Sequence, residues 1–452
     1  MTNTRRFPGL QRTLADHPEA GLATLFFLLA AAAPVASAAQ GVPTYSKDVA
    51  PILQASCQQC HRPDGIGPMS LLTYEEATRA ARRIKSRVEQ RVMPPWHLDR
   101  TVGIQNYAND ISLTDRDIET IVQWVDGGTP EGDRADLPVP VEYPSAAEWE
   151  LRAELGPPDL VFRSEPYTVT ANGQDQWWDP ITEFEGLDED RWIRAAEFKP
   201  AYPLGVKVVH HAHARFSQDD YQVELVGMGI GKRWDRLPEG TGKLLKAGPA
   251  EISFGLHYFP IGEEVEDDAV EVGVWLYPSG YEPEYSTTGE QRMLVDGTFT
   301  SGPRARDLII PPHGNLILEH AYVLEQPTLL QSFRPHMHMR GTAMSMEAIY
   351  PDGRREMLSK VDRYNHNWQI SYIYEDEVQP LLPKGTVLMF HSQFDNTASN
   401  PINPDPDQWV LFGARGVDEM SHGWVGMTPL TQEEYERLAA QRGILISEDG
   451  GP

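Results

Sequence analysis

Two textures of hydrophobic patterning divide the chain. Between Val42 and Asp133 apolar residues recur at helical spacing. A short helix is predicted over Asp48 to Ser56, and a second, opened by the capping box Thr73-Tyr-Glu-Glu76, carries Ala77, Ala81, Ile84, Val88 and Val92. A third starts at Thr114, carries Ile118, Ile121, Val122 and Val125, and stops at Gly127-Gly128. Beyond about Asp159, short runs separated by Pro, Gly and Asp turns predict strands: Gly205 to Phe216, Tyr221 to Val226, Glu251 to Phe259, Val270 to Tyr277, Asn315 to Leu324 and Thr342 to Tyr350. The stretch from about Leu137 to Pro158 has no clear period and reads as a linker, and a pause at Thr298 to Arg306 splits the strand-rich part in two. The expected architecture is multidomain: a small all-α domain at 42–135, a linker at 136–158, and two antiparallel β-sandwich, jelly-roll-like domains at 159–300 and 301–452.

Composition narrows the setting. The length of 452 residues suits roughly three cores of ordinary size. Arg5, Arg6 and Arg12 precede an apolar run from Leu22 to Ala33 and the small residues Ala36-Ser37-Ala38-Ala39, the three-part layout of a secretory signal over 1–39. The alternative is a retained anchor, because the run from Leu22 to Ala39 is just long enough to span a bilayer. With 66 acidic against 39 basic residues and a formal charge of -27, the chain argues against binding nucleic acid or an anionic membrane, and suits a basic redox partner. A periplasmic or secreted location follows from the signal.

Only two cysteines are present, so no disulfide framework exists and the thiols must serve something local. They stand in Cys57-Gln-Gln-Cys60-His61. Such a pair followed at once by histidine offers two thiols for thioether links to haem vinyls and an imidazole beneath the iron. A dithiol or half a zinc site would leave His61 unexplained. The helical stretch resembles a small class I cytochrome c with one covalent haem c. A sixth iron ligand is expected from Met93 in Met93-Pro-Pro-Trp96, a motif that related cytochrome domains carry at this place. Met69 and His97 compete, Met69 otherwise serving as core filler and His97 as a surface residue.

Histidines cluster on the predicted strands: His210, His211 and His213 on one, His257 on another, and His336-Met-His338 on a third. Imidazole suits copper, zinc, iron and nickel. Alternate residues of a strand share a face, so His336 and His338 can reach one ion together, and spacing alone pairs His211 with His213.

Four motifs in order, Val-Val-His210-His211, Gly-Leu-His257-Tyr, Pro-His336-Met-His338-Met-Arg-Gly and Asp418-Glu-Met420, resemble those of the copper type II, ascorbate-dependent monooxygenases. That family includes peptidylglycine α-hydroxylating monooxygenase and dopamine β-monooxygenase, and the resemblance covers about Asp159 to Met427. It implies two copper ions. His210, His211 and His257 correspond to the ligands of the electron-transferring copper; His336, His338 and Met420 correspond to the catalytic ligands of the copper that binds dioxygen. The soft thioether of Met420 favours Cu(I), the state that meets oxygen. On this carry-over His213 rather than His210 is the structural residue, against the regular-strand expectation, and a bulge, or ligation through different ring nitrogens, would reconcile the two. Animal members are braced by disulfides, and no cysteine remains here to make them; His391 falls near where they have one. His366, His313, His320 and His422 match no ligand motif and are read as structural or surface residues. Nothing corresponds to the family's peptide- or amine-binding residues.

The resemblance implies a monooxygenase that hydroxylates a C–H bond of an unidentified organic substrate with O2. Electrons would come from an ascorbate-like reductant or a periplasmic redox protein, with the haem as relay. The alternative is a non-catalytic periplasmic haem and copper electron-transfer protein, which needs only one copper site. A blue-copper or multicopper oxidase is disfavoured for want of a thiolate ligand. Trp177, Trp178 and Trp192 are candidates to line a cleft, although buried aromatics more often fill cores.

Overall fold

Local signals account for the helices. In the computed structural model, which describes residues 41–63, 65–145, 148–202, 204–229, 232–285, 290–296 and 308–444, the expected capping box at Thr73 forms, and the start signal at Thr114 is a capping box as well. The Thr73 side chain accepts from the Glu76 amide while the Glu76 carboxylate accepts from that of Thr73, opening the helix Tyr74–Glu89. Thr114 and Asp117 do the same for Asp115–Asp126. Val92 falls beyond the helix end. The segment 1–39 and the pause at Thr298 to Arg306 lie outside the described residues.

The rest is mostly β-sheet, and every ladder between strands is antiparallel among the described residues. One five-stranded sheet holds Leu160–Arg163, Val270–Leu276, Arg191–Pro200, Trp234–Arg236 and Lys243–Leu245. A second holds Gln176–Trp178, Ile181–Leu187, Gly248–Tyr258, Val209–Gln218 and Tyr221–Met228. Inward residues of both, among them Phe162, Phe198, Phe216, Ile252, Phe254 and Val272, share one core, as in a β-sandwich. Further along, a sheet built on Thr328–Met337 and Ser421–Pro429 and a four-stranded sheet of Asn315–Val323, Val387–Asp395, Gly341–Ile349 and Arg355–Val361 enclose Leu330, Phe333, Met344, Met346, Phe390 and Val425. The run expected as a strand from Gly205 begins instead with a helical turn, Gly205–Val208, and pairing starts at Val209.

Three features tie these parts together more closely than the sequence suggests. Residues from Val42 onward form one compact unit by their contacts. The chain between the helices Tyr74–Glu89 and Asp115–Asp126 leaves them to join the C-terminal core: Trp96, Leu98 and Tyr107 are buried there, and Asp99, Ile104 and Ala108 donate backbone hydrogen bonds to Lys360, Leu358 and Ile373. His97 is buried with them, not on the surface. The stretch expected as a linker is docked too. Trp149 and Leu151 pack on Ala195 and Trp275, and the amides of Glu150 and Leu151 donate to the buried Glu197 carboxylate.

Candidate functional site

The strands Val209–Gln218 and Gly248–Tyr258 lie side by side, with His211 opposite His257 and Val209 opposite Tyr258. The register shifts at that point, leaving His210 as an extra residue. This is a β-bulge, and it turns two adjacent side chains toward one place. His210, His211 and His257 accordingly offer ring nitrogens all within 4.8 Å of one another. His213, two residues beyond His211, is exposed with its ring over Gly255, and is not brought to the group.

Hydrogen bonds fix the ring orientations. His257 donates from Nε2 to Asp175 Oδ2 at 2.8 Å, which leaves its lone pair on Nδ1. His211 Nδ1 accepts from Gln369 Nε2 at 3.3 Å, so it too presents a lone pair. Yet these two Nδ1 atoms are 3.2 Å apart, and His210 Nδ1 is 3.3 Å from that of His211. Facing lone pairs at that distance repel unless a cation shares them. Ligand nitrogens about 2.0 Å from one ion in tetrahedral geometry stand roughly 3.3 Å apart, so the donor set fits a metal. Burial, reinforced by the neighbouring imidazoles, holds His211 well below its ordinary value and brings His210 down to about 3. Both are therefore neutral and able to ligate. Trp177 stacks on the His257 ring at 4.1 Å and is 40% exposed, at the rim of the group. Trp178 stacks instead on Tyr167, and Trp192 lies against Gly242.

The second histidine pair adjoins the first. His336 is the penultimate residue of the strand Thr328–Met337, opposite His422, and the ring centres of His336 and His338 are 5.3 Å apart. His336 Nδ1 donates to Gln369 Oε1 at 3.0 Å and His338 Nδ1 to the Asp418 carbonyl at 3.2 Å, leaving each Nε2 as the available lone pair. Burial brings His338 down to about 3 and His336 well below the usual range. Met420 is half-buried at the entry to the strand Ser421–Pro429. Glu419 beside it is fully buried, and its carboxylate accepts from the amides of His338, Arg340 and Met420, holding these two segments together. Burial pushes that carboxyl up to about 8. Gln369 bonds both His211 and His336, whose ring centres are 6.0 Å apart, so the two groups form one continuous cluster. His366 and His422 belong to it as well: His366 lies 5.4 Å from His338 and His422 5.3 Å from His336, ring centre to ring centre. The more distant His313 and His391 pair with Asp407 and Glu319.

Near the cysteine pair, His61 donates from Nδ1 to the Met69 carbonyl at 3.2 Å, which leaves the lone pair on Nε2, the state an iron ligand requires. A Cβ on Gly67 would lie 2.7 Å from that ring, so only glycine fits over it. Burial raises the Cys57 thiol to about 12 and lifts Cys60 too. These features fit a haem c. Met69 packs near Cys57 among core residues, while Met93 lines a small cleft with Pro94, Trp96 and Leu113. One cavity of about 90 Å³ is lined by both Cys60 and His210, and another of about 300 Å³ by Cys60, Trp96, Trp368 and Ile370.

Sequence reasoning missed Asp175, Gln369 and His366. All lie outside regular strands and helices, and their only local signal is a polar side chain amid aromatic neighbours, Asp175-Gln-Trp-Trp178 and Tyr364-Asn-His366-Asn-Trp-Gln369.

No protein-family model matches the chain, and no curated protein does. Among solved structures, a protein described as an alpha-L-fucosidase from Bacteroides ovatus is similar at 10% identity and a TM-score of 0.15, over 65% of this chain and 41% of its own. The PBSX exported protein XepA is similar at 8% identity and a TM-score of 0.14, over 52% and 86%. A two-domain protein of unknown function from Bacteroides fragilis is similar at 11% identity and a TM-score of 0.15, over 62% and 99%. Similarities this slight carry no argument about activity. No helix among the described residues is long and apolar enough to cross a membrane.

Proposed function

We propose that this chain is an exported copper-dependent monooxygenase that hydroxylates a C–H bond with O2, and that a haem c at Cys57, Cys60 and His61 delivers electrons to two coppers in the histidine cluster. The helical part is then a cytochrome c-like domain, and the two pairs of sheets are the jelly-roll-like copper domains. The observation that carries this reading is the pair of facing lone pairs on His211 and His257, 3.2 Å apart and each fixed by a hydrogen bond. Beside them stands a second imidazole pair of the opposite ring orientation.

Bound in these two sets, copper would supply one-electron steps and a position for oxygen. The protein groups divide the remaining work. His210, His211 and His257 make an all-imidazole set that suits both oxidation states, while Met420 adds a soft thioether to His336 and His338. Asp175 and Gln369 orient the rings, and Glu419 keeps His338 and Met420 in register. The cavity lined by both Cys60 and His210 favours electron entry at the all-imidazole set. Inserting one oxygen atom and reducing the other to water consumes two electrons and two protons, so an ascorbate-like reductant or a redox protein is required.

Metal analysis of the purified chain should return about two coppers per haem iron. Met420→Ala should then abolish oxygen-dependent product formation across a substrate panel while leaving the haem spectrum intact. Copper-free protein, or undiminished product from that variant, would refute the assignment.

A further inference from the structure

His366 matches none of the sequence motifs, yet it stands at the centre of the cluster. It is 3% exposed, and its ring centre lies 5.4 Å from His338 and 5.9 Å from His210. Imidazoles that share one ion, each nitrogen about 2.0 Å from it, have ring centres roughly 5 to 6 Å apart. The 5.3 Å between His336 and His338 falls in the same range.

Its orientation is that of a ligand. His366 Nδ1 donates to the Met337 carbonyl at 3.3 Å, which leaves the lone pair on Nε2. That Nε2 is buried and has no hydrogen-bond partner. The loop that carries it is clasped to the same turn: Tyr364 Oη accepts from the Met337 amide and donates to its carbonyl, and Gln369 holds His336. Met337 is the residue between His336 and His338, so His366 is tied to the very turn that presents them. A buried imidazole nitrogen without a partner costs stability unless something binds it.

We propose that His366 is a further metal ligand, its Nε2 meeting the ion that His338 binds. The inference rests on the proposed function only in requiring a copper ion there.

The test is a Cu(I) competition titration of the full haem-containing chain against a chromophoric chelator. Wild type should bind two coppers tightly, whereas H366A should bind one as before and the other at least about 100-fold more weakly, the upper end of what loss of a merely orienting residue costs. Added imidazole should recover part of that loss, which a purely structural role would not allow. H366Q can still donate to the Met337 carbonyl and so keep the loop in place, and it should show the same defect. In wild type, the nitrogen resonance absent from H366Q should move on adding Cu(I). Two coppers at wild-type affinity in H366Q, or a stationary resonance, overturns the His366 assignment alone. No tight copper in wild type overturns the functional reading with it.

Discussion

Asp175 offers the sharpest check on the proposed all-imidazole centre. Its Oδ2 accepts from His257 Nε2 at 2.8 Å, and His257 is only 3% exposed, so no water can readily replace it. The bond keeps the proton on Nε2 and the lone pair on Nδ1, facing His211. In Asp175→Ala the ring must either bury an unpaired N–H, at about 1–3 kcal/mol, or move the proton to Nδ1, where it competes with the ion. Loss of such outer-shell partners typically weakens metal binding about 10–100-fold, or about 1.4–2.7 kcal/mol. Asp175→Asn keeps an acceptor oxygen but loses the charge, and belongs at the lower end of that range. Competition titration with Cu(I) measures both variants, and the loss should fall on one copper only. Binding by Asp175→Ala within about twofold of wild type, or a larger loss in Asp175→Asn than in Asp175→Ala, would refute the reasoning.

Two further predictions concern the docking of the helical part on the C-terminal core. Trp96 is 7% exposed and packs edge-on against Tyr372 and Tyr107 at 4.9 and 5.8 Å, so Trp96→Ala should cost about 3–5 kcal/mol in urea unfolding; a loss below about 1 kcal/mol would show that this contact does not hold the parts together. Burial, aided by the Arg363 charge, lowers His97 from 6.5 to about 4. Between those values the unfolded chain binds more protons than the folded one, so stability is full above about pH 6.5 and falls on acidification to about pH 4, by something on the order of 3 kcal/mol. His97→Gln should flatten that slope in unfolding curves at about pH 7.5 and about pH 5, and an unchanged slope would place its origin elsewhere.

What was legible from the chain alone is what neighbouring residues decide. Capping at Thr73 and Thr114 depends on side chains three positions away, and both helices start where those signals stand. The alternation of strands and turns predicted antiparallel sheet, and the order of the histidine motifs marked His210, His211, His257, His336 and His338 as residues to watch. Periodicity failed where the backbone broke it. A regular strand would have chosen His213, and the bulge that turns His210 inward depends on the register of the partner strand at His257.

The tertiary structure alone decided which groups meet. His336 and Gln369 are 33 positions apart, His257 and Asp175 82, and His211 and Gln369 158, and no local pattern encodes such pairs. Nor could composition show that the Pro-rich stretch after the helices is docked through Glu197, or that Trp96 to Ala108 is shared with the C-terminal core. The sequence by itself determined the chemistry available: two thiols with a histidine, and imidazoles spaced for ligation. Folding decided their arrangement, because the position of a buried side chain is set by the packing of distant strands and by the hydrogen bonds its burial obliges it to make.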